Sequence, residues 1–400
     1  MLKEEDRKFI INTYNRRADL TLFITKGKGT LVWDENGKEY LDFVGGLAVN
    51  ALGHASSPVI DAALKQMKKI IHASNLYYSE PQIKLARQLV ENSAADRVFF
   101  CNSGAEANEA AIKLSRKFGK LQHDADKFEI ITALNSFHGR TLATVTATGQ
   151  EKYQKGFEPL VPGFRYARFN DLDSFKAQLS DATCAIMVEP VQGEGGVYVA
   201  TQDFLTGLRR LCDENDILLI FDEVQCGMGR TGKLFAYEHY GIQPDIFTLA
   251  KALGGGLPIG AMLCNEKAAS GFSPGDHAST FGGNPVVCAV AQAVMHEILQ
   301  EGFLGDVIAK GAFFQEELHL LKKRFPKIIS EIRGKGLIVA MELKEKGPAI
   351  QSFCQENGLL INCIGEGILR FLPPLNVSRE EIVAAVDILQ SALQEVFDGE

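Results

Sequence analysis

The stretch ILLIFDE at residues 217–223 is an uninterrupted apolar run that ends in two acids, Asp222 and Glu223. An apolar run without alternation predicts a strand that is buried on both faces, as in a parallel sheet. Ligands of open α/β sheets bind beyond the carboxyl ends of the strands, so a carboxylate here is placed to hold a cationic group. Asp222 could equally cap the following turn, and this stretch alone does not decide between the two.

Similar short apolar runs occur along the middle of the chain, at residues 97–101, 128–132, 184–189 and 246–250. Amphipathic stretches separate them, and Ala107, Ala111, Leu114 and Phe118 share one helical face. The alternation of strands and helices predicts an α/β large domain with a mostly parallel central sheet over residues 61–300.

The two ends of the chain have a different pattern. Asn36-Gly37 separates two strand-like stretches and predicts a hairpin over residues 31–41. Residues 336–343 and 368–372 are strand-like, and a capping box at residues 378–381 predicts a last helix that ends near residue 396. We expect residues 1–60 and 301–400 to pack together as a smaller α+β domain.

Composition limits the classes of function. The chain has 400 residues, 46% hydrophobic and 23% charged, which is typical of a globular protein. Fifty acids against 42 bases give a net charge of -8, which does not favour a nucleic-acid partner. No apolar run is long enough to span a membrane, and the charged start of the chain does not resemble a secretion signal.

The cysteines and histidines show no metal-binding pattern. There are eight of each, with no Cys-x-x-Cys and no clustered Cys/His spacing, so we expect no metal site. Cysteines of this kind are typical of buried thiols in a reducing compartment, which predicts a cytoplasmic location.

Lys251 lies between the apolar run 246–250 and three glycines at residues 254–256. A lysine at a strand end, beside a chain segment that allows close approach, can form a Schiff base with a carbonyl group. In isolation, a surface lysine before a loop is as good an interpretation.

The stretch FFCNSGAEAN at residues 99–108 predicts a strand, a Ser-Gly turn and then a helix. The N–H groups at the helix start, with the Ser103 hydroxyl, would form a phosphate site. An ordinary capped loop is the alternative. A phosphate site, a carboxylate for a ring nitrogen and a Schiff-base lysine together are what pyridoxal 5′-phosphate requires.

The stretch GMGRTG at residues 227–232 matches the Gly-x-Gly-x-x-Gly fingerprint of dinucleotide binding. It begins five residues after the apolar strand and lies deep in the chain, whereas the fingerprint opens a βαβ unit directly after a strand. The pattern therefore does not favour a nicotinamide dehydrogenase.

Six stretches carry a resemblance to a known family: NSGAEAN at 102–108, FHGR at 137–140, EPVQGEGG at 189–196, FDEVQCGMGRTG at 221–232, AKALGGG at 250–256 and STFGGNP at 279–285. With them the chain resembles, over essentially its whole length, the class III (ω-) aminotransferases, which are fold-type I pyridoxal-phosphate enzymes. The resemblance implies pyridoxal 5′-phosphate as cofactor and a homodimer with shared active sites.

The resemblance also implies the cofactor contacts. Lys251 and Asp222 would be catalytic: Lys251 holds the cofactor and moves a proton, and Asp222 pairs with the ring nitrogen. Thr280 would reach the phosphate of the cofactor in the other subunit. The implied cofactor-binding residues are Ser103, Gly104, Ala105, Phe137, Asp222, Glu223, Val224, Gln225, Lys251 and Thr280. Ala105 departs from the threonine of many relatives, but its backbone donor remains.

The implied substrate contacts are Arg140, Ser279, Glu194 and Arg370. Arg140 would bind the carboxylate of an acylated substrate, and Arg370 would bind the α-carboxylate of glutamate in the bidentate manner that favours arginine over lysine. Glu194 resembles the family's gate, which pairs with Arg370 when an ω-amine is presented. Residues 14–16 resemble an N-terminal segment on the substrate side of the family's site.

The resemblance implies transfer of the δ-amino group of N2-acetyl-L-ornithine to 2-oxoglutarate, a step of arginine biosynthesis. Leu47 occupies a position where ornithine δ-aminotransferases carry a tyrosine, which leaves room for an acyl group. N-succinyl-diaminopimelate, succinylornithine, ornithine and 4-aminobutyrate are alternative donors. An aminomutase and a non-enzymatic protein that keeps the fold are the rivals from other classes.

Overall fold

The computed structural model describes residues 2–14, 16, 21–122 and 127–398. The α-helices are α1 (Leu2–Phe9), α2 (Gly45–Ala48), α3 (Ser57–Met67), α4 (Glu80–Glu91), α5 (Gly104–Gln122), α6 (Leu142–Ala147), α7 (Glu151–Gln154), α8 (Leu172–Lys176), α9 (Gln202–Glu214), α10 (Glu266–Ala269), α11 (Pro285–Ile298), α12 (Phe303–Arg324), α13 (Gly347–Glu356) and α14 (Arg379–Asp398). Two 3-10 helices span Ala236–Tyr240 and Lys251–Gly254.

The strands are β1 (Ile24–Lys28), β2 (Leu31–Asp34), β3 (Glu39–Asp42), β4 (Arg97–Cys101), β5 (Glu129–Ala133), β6 (Phe164–Ala167), β7 (Thr183–Val188), β8 (Val191–Gln192), β9 (Tyr198–Val199), β10 (Leu218–Asp222), β11 (Ile246–Leu249), β12 (Gly260–Cys264), β13 (Ile329–Lys335), β14 (Ile338–Leu343), β15 (Leu359–Leu360), β16 (Asn362–Ile364) and β17 (Ile368–Phe371).

A seven-stranded sheet forms the centre of the molecule, in the order β4-β12-β11-β10-β7-β5-β6. Strand β10 is parallel to both of its neighbours, and β7, β10 and β11 are buried at every position. This confirms the predicted α/β fold with a mostly parallel sheet. The register pairs Asp222 of β10 with Thr248 of β11, so Asp222 and Lys251 emerge at the same edge of the sheet.

Strand β12 is antiparallel to both β4 and β11, and neither it nor β6 was predicted from the sequence. Its register sets Gly260 opposite Cys101, against the loop that leads into α5. A Cβ atom on Gly260 would overlap the Ser103 carbonyl oxygen, so glycine is required for this close approach.

The two chain ends share one small sheet, because β15 near the C-terminus pairs in parallel with β3 near the N-terminus. The second small sheet, β13-β14-β17-β16, comes entirely from the C-terminal part. We propose on this pairing that residues 301–400 and the N-terminal segment form the smaller domain. The predicted boundary at residue 60 falls inside α3, which packs on α11, so a boundary before Ser57 suits the structure better.

In the part of the chain that the structure describes, no helix combines the length and the apolar character needed to cross a bilayer.

Candidate active site

A cavity of about 490 Å³ opens at the carboxyl ends of β10 and β11, beside the start of α5. Most of the predicted site residues line it. The lining residues are Val49, Asn102, Ser103, Gly104, Ala105, Asn108, Phe137, His138, Gly139, Arg140, Glu189, Glu194, Asp222, Val224, Gln225, Ala250, Lys251, Gly256, Leu257, Pro258 and Ile259.

Asp222 is buried and both of its carboxylate oxygens accept hydrogen bonds. Oδ1 accepts from the Val224 backbone N–H at 3.0 Å, and Oδ2 accepts from Asn108 Nδ2 at 2.7 Å and from His138 Nδ1 at 2.8 Å. Because a carboxylate only accepts, Nδ1 is assigned as the protonated nitrogen of His138. These bonds fix the orientation of the carboxylate, which is placed to pair with a cationic ring nitrogen.

Lys251 has a left-handed backbone conformation with φ of +46°, which is strained for a residue with a Cβ atom. Its side chain lies in the cavity. Burial lowers the pKa of Lys251 below its usual value, although the negative charges of Glu194, Asp222 and Glu189 oppose this. A larger fraction of the amine is therefore neutral, which is the form that attacks a carbonyl carbon.

The pKa values of two further acids of the cavity are shifted in opposite directions. Burial, and then repulsion from Asp222, hold the pKa of Glu189 well above its usual value, and Glu189 Oε2 accepts the Phe137 backbone N–H at 3.0 Å. Burial also raises the pKa of Glu194, but the positive charges of Arg370 and Lys251 outweigh it, so the net shift is downward. Glu189 thus positions Phe137 through its backbone, whereas Glu194 is held as a partner of Arg370.

The start of α5 provides a site for an anion. Ser103, Gly104 and Ala105 line the cavity there, where backbone N–H groups and the helix dipole favour negative charge. A Cβ atom on Gly104 would lie 2.7 Å from Val224 Cγ1, so glycine is needed at this turn. The Ser103 hydroxyl donates to Glu106 Oε2 at 3.1 Å and accepts from the Glu106 backbone N–H. The backbone N–H groups at the start of α5, more than the Ser103 hydroxyl, would therefore donate hydrogen bonds to a phosphate.

Arg370 is fully buried and does not itself line the cavity, but it contacts two side chains that do, Glu194 and Gln225. Its Nη1 donates to Glu194 Oε1 at 2.7 Å, to the Gly193 carbonyl at 2.9 Å and to Gln225 Oε1 at 3.3 Å. Gln225 Nε2 in turn donates to Glu194 Oε1 at 3.3 Å. Gln225, predicted to contact the cofactor ring, thus lines the cavity while bridging the Glu194–Arg370 pair.

Several predicted residues lie outside the lining of the cavity. The buried Glu223 carboxylate accepts the backbone N–H groups of Ala236 at 2.6 Å and Tyr237 at 2.8 Å. Ser279 does not line the cavity. Its Oγ accepts a hydrogen bond at 3.2 Å from Nδ2 of Asn102, which does line it. Thr280 is exposed to solvent.

The N-terminal predictions also lie outside the cavity. Leu47 is 42% exposed, and its neighbour Val49 lines the cavity instead. Arg16 pairs with Asp6. Tyr14 is exposed, and residue 15 lies outside the described residues.

Three residues that line the cavity, Asn108, His138 and Glu189, were not predicted from the sequence as site residues. Glu189 ends the apolar run 184–189 in the same way that Asp222 ends its own run, so the same signal could have found it. Asn108 adjoins the apolar face of a predicted helix, where a polar residue needs a buried partner.

The chain matches the family model of class-III aminotransferases over residues 13–393 and belongs to that family. An acetylornithine aminotransferase of Caldanaerobacter subterraneus subsp. tengcongensis is 53% identical over 392 residues, which cover 98% of each chain. One of Methanocaldococcus jannaschii is 51% identical over 393 residues, 98% of this chain and 96% of its own.

Solved structures give the same family. The N-acetylornithine aminotransferase of Stenotrophomonas maltophilia K279a has a TM-score of 0.84 at 38% identity, covering 97% of this chain and 98% of its own. The ornithine aminotransferase of Toxoplasma gondii ME49 has a TM-score of 0.95 at 32% identity, covering 100% and 96%. The fold is therefore fold-type I, and the enzyme is a transaminase that depends on pyridoxal 5′-phosphate.

The residues of the cavity fit this cofactor. The Asp222 carboxylate would hold the ring nitrogen, the N–H groups at Gly104 and Ala105 would hold the phosphate, and the Lys251 amine would bind the aldehyde carbon. Gly139 keeps the Phe137 segment close to this cradle, since a Cβ atom there would lie 2.9 Å from Ala105 Cβ.

Proposed function

We propose that this enzyme transfers the δ-amino group of N2-acetyl-L-ornithine to 2-oxoglutarate, a step of arginine biosynthesis. The products are N-acetyl-L-glutamate 5-semialdehyde and L-glutamate. The observation that carries the proposal is the placement of Arg140 and the Glu194–Arg370 pair around one cavity. Acetylornithine aminotransferases about half identical over nearly the full chain support the choice of donor.

The cofactor, Lys251 and Asp222 have different tasks in this reaction. The cofactor, when bound, supplies an electron sink for the carbon that carries the amino group. The neutral Lys251 amine takes the proton from that carbon. It would then donate the proton to the cofactor carbon that carried the aldehyde. Asp222, held in place by Asn108 and His138, would pair with the ring nitrogen of the cofactor.

Arg370 and Glu194 let one cavity accept two kinds of substrate. With the two side chains paired at 2.7 Å, the cavity lacks a free cation on that side and accepts the ω end of an amine. When Glu194 releases Arg370, the guanidinium can pair with a carboxylate of 2-oxoglutarate or glutamate. Arg140 holds the carboxylate of the acylated substrate in the first half-reaction.

The proposal is tested by following the visible absorbance of the bound cofactor as donors are added. N2-acetyl-L-ornithine should bleach the yellow band fastest, and 2-oxoglutarate should restore it. L-ornithine, succinylornithine, N-succinyl-diaminopimelate and 4-aminobutyrate are compared in parallel, and faster bleaching by any of them would displace the proposed donor. Lys251→Ala should hold the cofactor without turnover, and normal turnover in that variant would contradict the assignment of Lys251.

We also propose that the enzyme is a homodimer in which Thr280 completes the site of the partner subunit. Thr280 and its neighbour Phe281 are exposed and lie outside the lining of this chain's own cavity. The Phe281 ring contacts that of His72, with centroids 5.3 Å apart, and the segment after His72 carries exposed apolar side chains: Leu76 is 86% and Tyr78 is 98% exposed. Asn75 Nδ2 ties this patch to the 279–282 loop through the carbonyls of Ser279 and Gly282.

Mixing two inactive variants tests the shared site. Lys251→Ala lacks the amine, and Thr280→Asp places a negative charge where a phosphate is expected. In a mixed dimer one site regains Lys251 from one chain and Thr280 from the other, so activity should reappear after subunit exchange. If Thr280 served its own subunit, the mixture would stay inactive.

A cytoplasmic location belongs to the same proposal. Seven of the eight cysteines are buried as thiols, in keeping with a reducing compartment. Localisation of a tagged full chain in its host would check this, and an extracytoplasmic signal would contradict it.

A further inference from the structure

Arg140 is held by aromatic rings. Its guanidinium carbon lies 3.9 Å from the centroid of the Tyr153 ring and 4.6 Å from that of Phe137. The two rings meet edge to face, with centroids 5.8 Å apart. Among the residues that the structure describes, no carboxylate is paired with Arg140. The guanidinium therefore keeps its hydrogen-bond donors available for a ligand while the rings fix its plane.

Tyr153 is itself anchored to the segment that carries Phe137 and Arg140. It lies on the short helix α7, between Gln150 and Gln154. Gln150 Nε2 donates to the Ser136 carbonyl at 3.0 Å, immediately before Phe137. Gln154 Nε2 donates to the Thr148 carbonyl at 2.8 Å and to the Thr146 carbonyl at 3.1 Å. One end of α7 is thus tied to the segment before Phe137. The other end is tied to residues 146–148, where the Thr148 hydroxyl accepts the His138 backbone N–H at 2.9 Å.

A second cation lies over the same ring. Lys152 Nζ is 4.7 Å from the Tyr153 centroid. Positive charges that share one aromatic ring raise the positive potential beside it, and a ligand carboxylate is attracted by both. Lys155, one turn further on, is an exposed lysine of the same segment.

We infer that Tyr153 is a positioning residue for Arg140, and that with Lys152 it makes the enzyme select amino donors that carry a carboxylate. This inference rests on the proposed function, because it assumes that Arg140 binds the donor's carboxylate. Tyr153 itself does not line the cavity; it acts by holding the guanidinium in one plane. Phenylalanine keeps the ring and should preserve the selection, whereas leucine removes the ring.

The experiment compares Tyr153→Leu and Tyr153→Phe with two amines. N2-acetyl-L-ornithine carries the carboxylate, and N-acetyl-1,4-diaminobutane is the same molecule without it. The KM for acetylornithine should rise about threefold to tenfold in Tyr153→Leu with kcat little changed, as expected for a loss of binding that is equal in ground and transition states. Tyr153→Phe should stay within about twofold of the wild type.

The amine without a carboxylate separates selection from damage to the fold. Its competitive inhibition constant in the acetylornithine assay is measured in each variant, so no turnover of it is needed. That constant should be unchanged in Tyr153→Leu. If it rises in parallel with the KM for acetylornithine, or if neither changes, the inference is wrong.

The role of Lys152 is tested by comparison with Lys155. Lys152→Met should raise the KM for acetylornithine about twofold, and the matched Lys155→Met, which removes the same charge nearby, should not. Equal effects of the two would show that only net charge matters and would overturn the role of the stacked lysine. Failure of the proposed function would give a different result. The wild-type enzyme would then prefer another donor over acetylornithine, and this preference is measured without the Tyr153 variants.

Discussion

Asn108 uses all of its side-chain hydrogen-bonding groups for positioning. Its Nδ2 donates to Asp222 Oδ2 and to the His138 carbonyl, both at 2.7 Å, and its Oδ1 accepts from Thr248 Oγ1 at 2.7 Å. A buried amide that is satisfied on every side is rigid, and it transfers that rigidity to the carboxylate it holds. The geometry of Asp222 therefore depends on β11 and α5 as well as on β10.

Asn108→Ala should weaken cofactor binding about tenfold to a hundredfold, because a buried hydrogen bond to a charged group contributes about 1.5–3 kcal/mol. Titration of the apoenzyme with pyridoxal 5′-phosphate, followed by absorbance, measures the effect. Thr248→Val is the matched control. It removes the hydrogen bond from Thr248 Oγ1 to Asn108 Oδ1 but leaves the bond from Asn108 to Asp222, so its effect should be smaller. Unchanged affinity in Asn108→Ala would show that His138 and Val224 suffice.

At the scale of residues, the sequence predicted the groups that end apolar runs, such as Asp222, and the lysine that follows one. The sequence did not show which of the two acids, Asp222 or Glu223, faces the cavity. Successive side chains of an extended segment point to opposite sides, so Asp222 faces the cavity and Glu223 faces the backbone of residues 236–237. Thr280 could not be placed by any argument about one chain, because its proposed partner is a second subunit.

The segment of residues 193–198 is held by two buried arginines from the C-terminal strands β13 and β17. Arg370 donates to the Gly193 carbonyl at 2.9 Å, and Arg333 Nε donates to the Gly196 carbonyl at 2.8 Å. Glu194 lies between these two anchor points. Its side chain can therefore change partners while the backbone stays in place.

Glu194→Gln should shift the balance between the two half-reactions. Without the carboxylate, Arg370 is available to 2-oxoglutarate, so the KM for 2-oxoglutarate should fall severalfold, and the KM for the amine should rise because the guanidinium is no longer masked. Steady-state kinetics with each substrate varied measure both. Glu129→Gln is the control, since it removes a carboxylate that pairs with Arg165, and neither residue lines the cavity. Parallel changes in the two KM values would contradict a gate.

The capping box at the start of α14 is confirmed by the structure. Glu381 Oε2 accepts the Ser378 backbone N–H at 2.7 Å, and Ser378 Oγ accepts the Glu381 backbone N–H at 3.1 Å. Thr30 Oγ1 also donates to Glu381 Oε2, at 3.0 Å, which links the N-terminal sheet to this helix.

Ser378→Ala should cost about 1 kcal/mol, the usual contribution of a serine N-cap. Amide hydrogen exchange should become faster in the first turn of α14. Ser391→Ala, in the same helix, removes a hydroxyl that only bonds the Asp387 carbonyl one turn back and should leave that turn unchanged. Equal exchange in both variants would mean that the cap contributes nothing local.

At the scale of elements, patterns that depend on burial were predicted best. Strand β4 has the predicted bounds, β10 and β11 differ from them by one residue at one end, and β5 and β7 are shifted by one residue at both ends. Strand β12 was missed because its apolar run follows a glycine- and proline-rich loop, and apolar patterning carries no information on strand direction. Strand β6 lies at the edge of the sheet, where partly exposed residues weaken the apolar signal.

The stability of the whole molecule should depend on pH through His239. Burial, and then the positive charge of Lys335, lower the pKa of His239 to about 4, from an ordinary value of 6.5. Between those values the unfolded chain binds a proton at this side chain and the folded chain does not. The free energy of unfolding should therefore fall as the pH falls through this window.

His239→Gln removes this titration and keeps a donor for the Thr231 carbonyl, which His239 Nε2 contacts at 3.1 Å. Relative to the wild type, the variant should become more stable as the pH is lowered from about 7.5 to about 4.5. Urea unfolding at several pH values measures the difference, with the exposed His319 replaced by Gln as control. A difference that is independent of pH would show that folding does not shift the pKa of His239.

The pairing of β15 with β3 has a consequence for synthesis on the ribosome. The hairpin of β2 and β3 leaves the exit tunnel early, but the strand that completes its sheet lies near the end of the message. Throughout most of translation, one edge of β3 has no neighbour, and the surface against α14 is bare. We therefore expect that edge to need cover during synthesis, from a holding chaperone or from the central sheet once it has folded, to keep it from pairing with another chain.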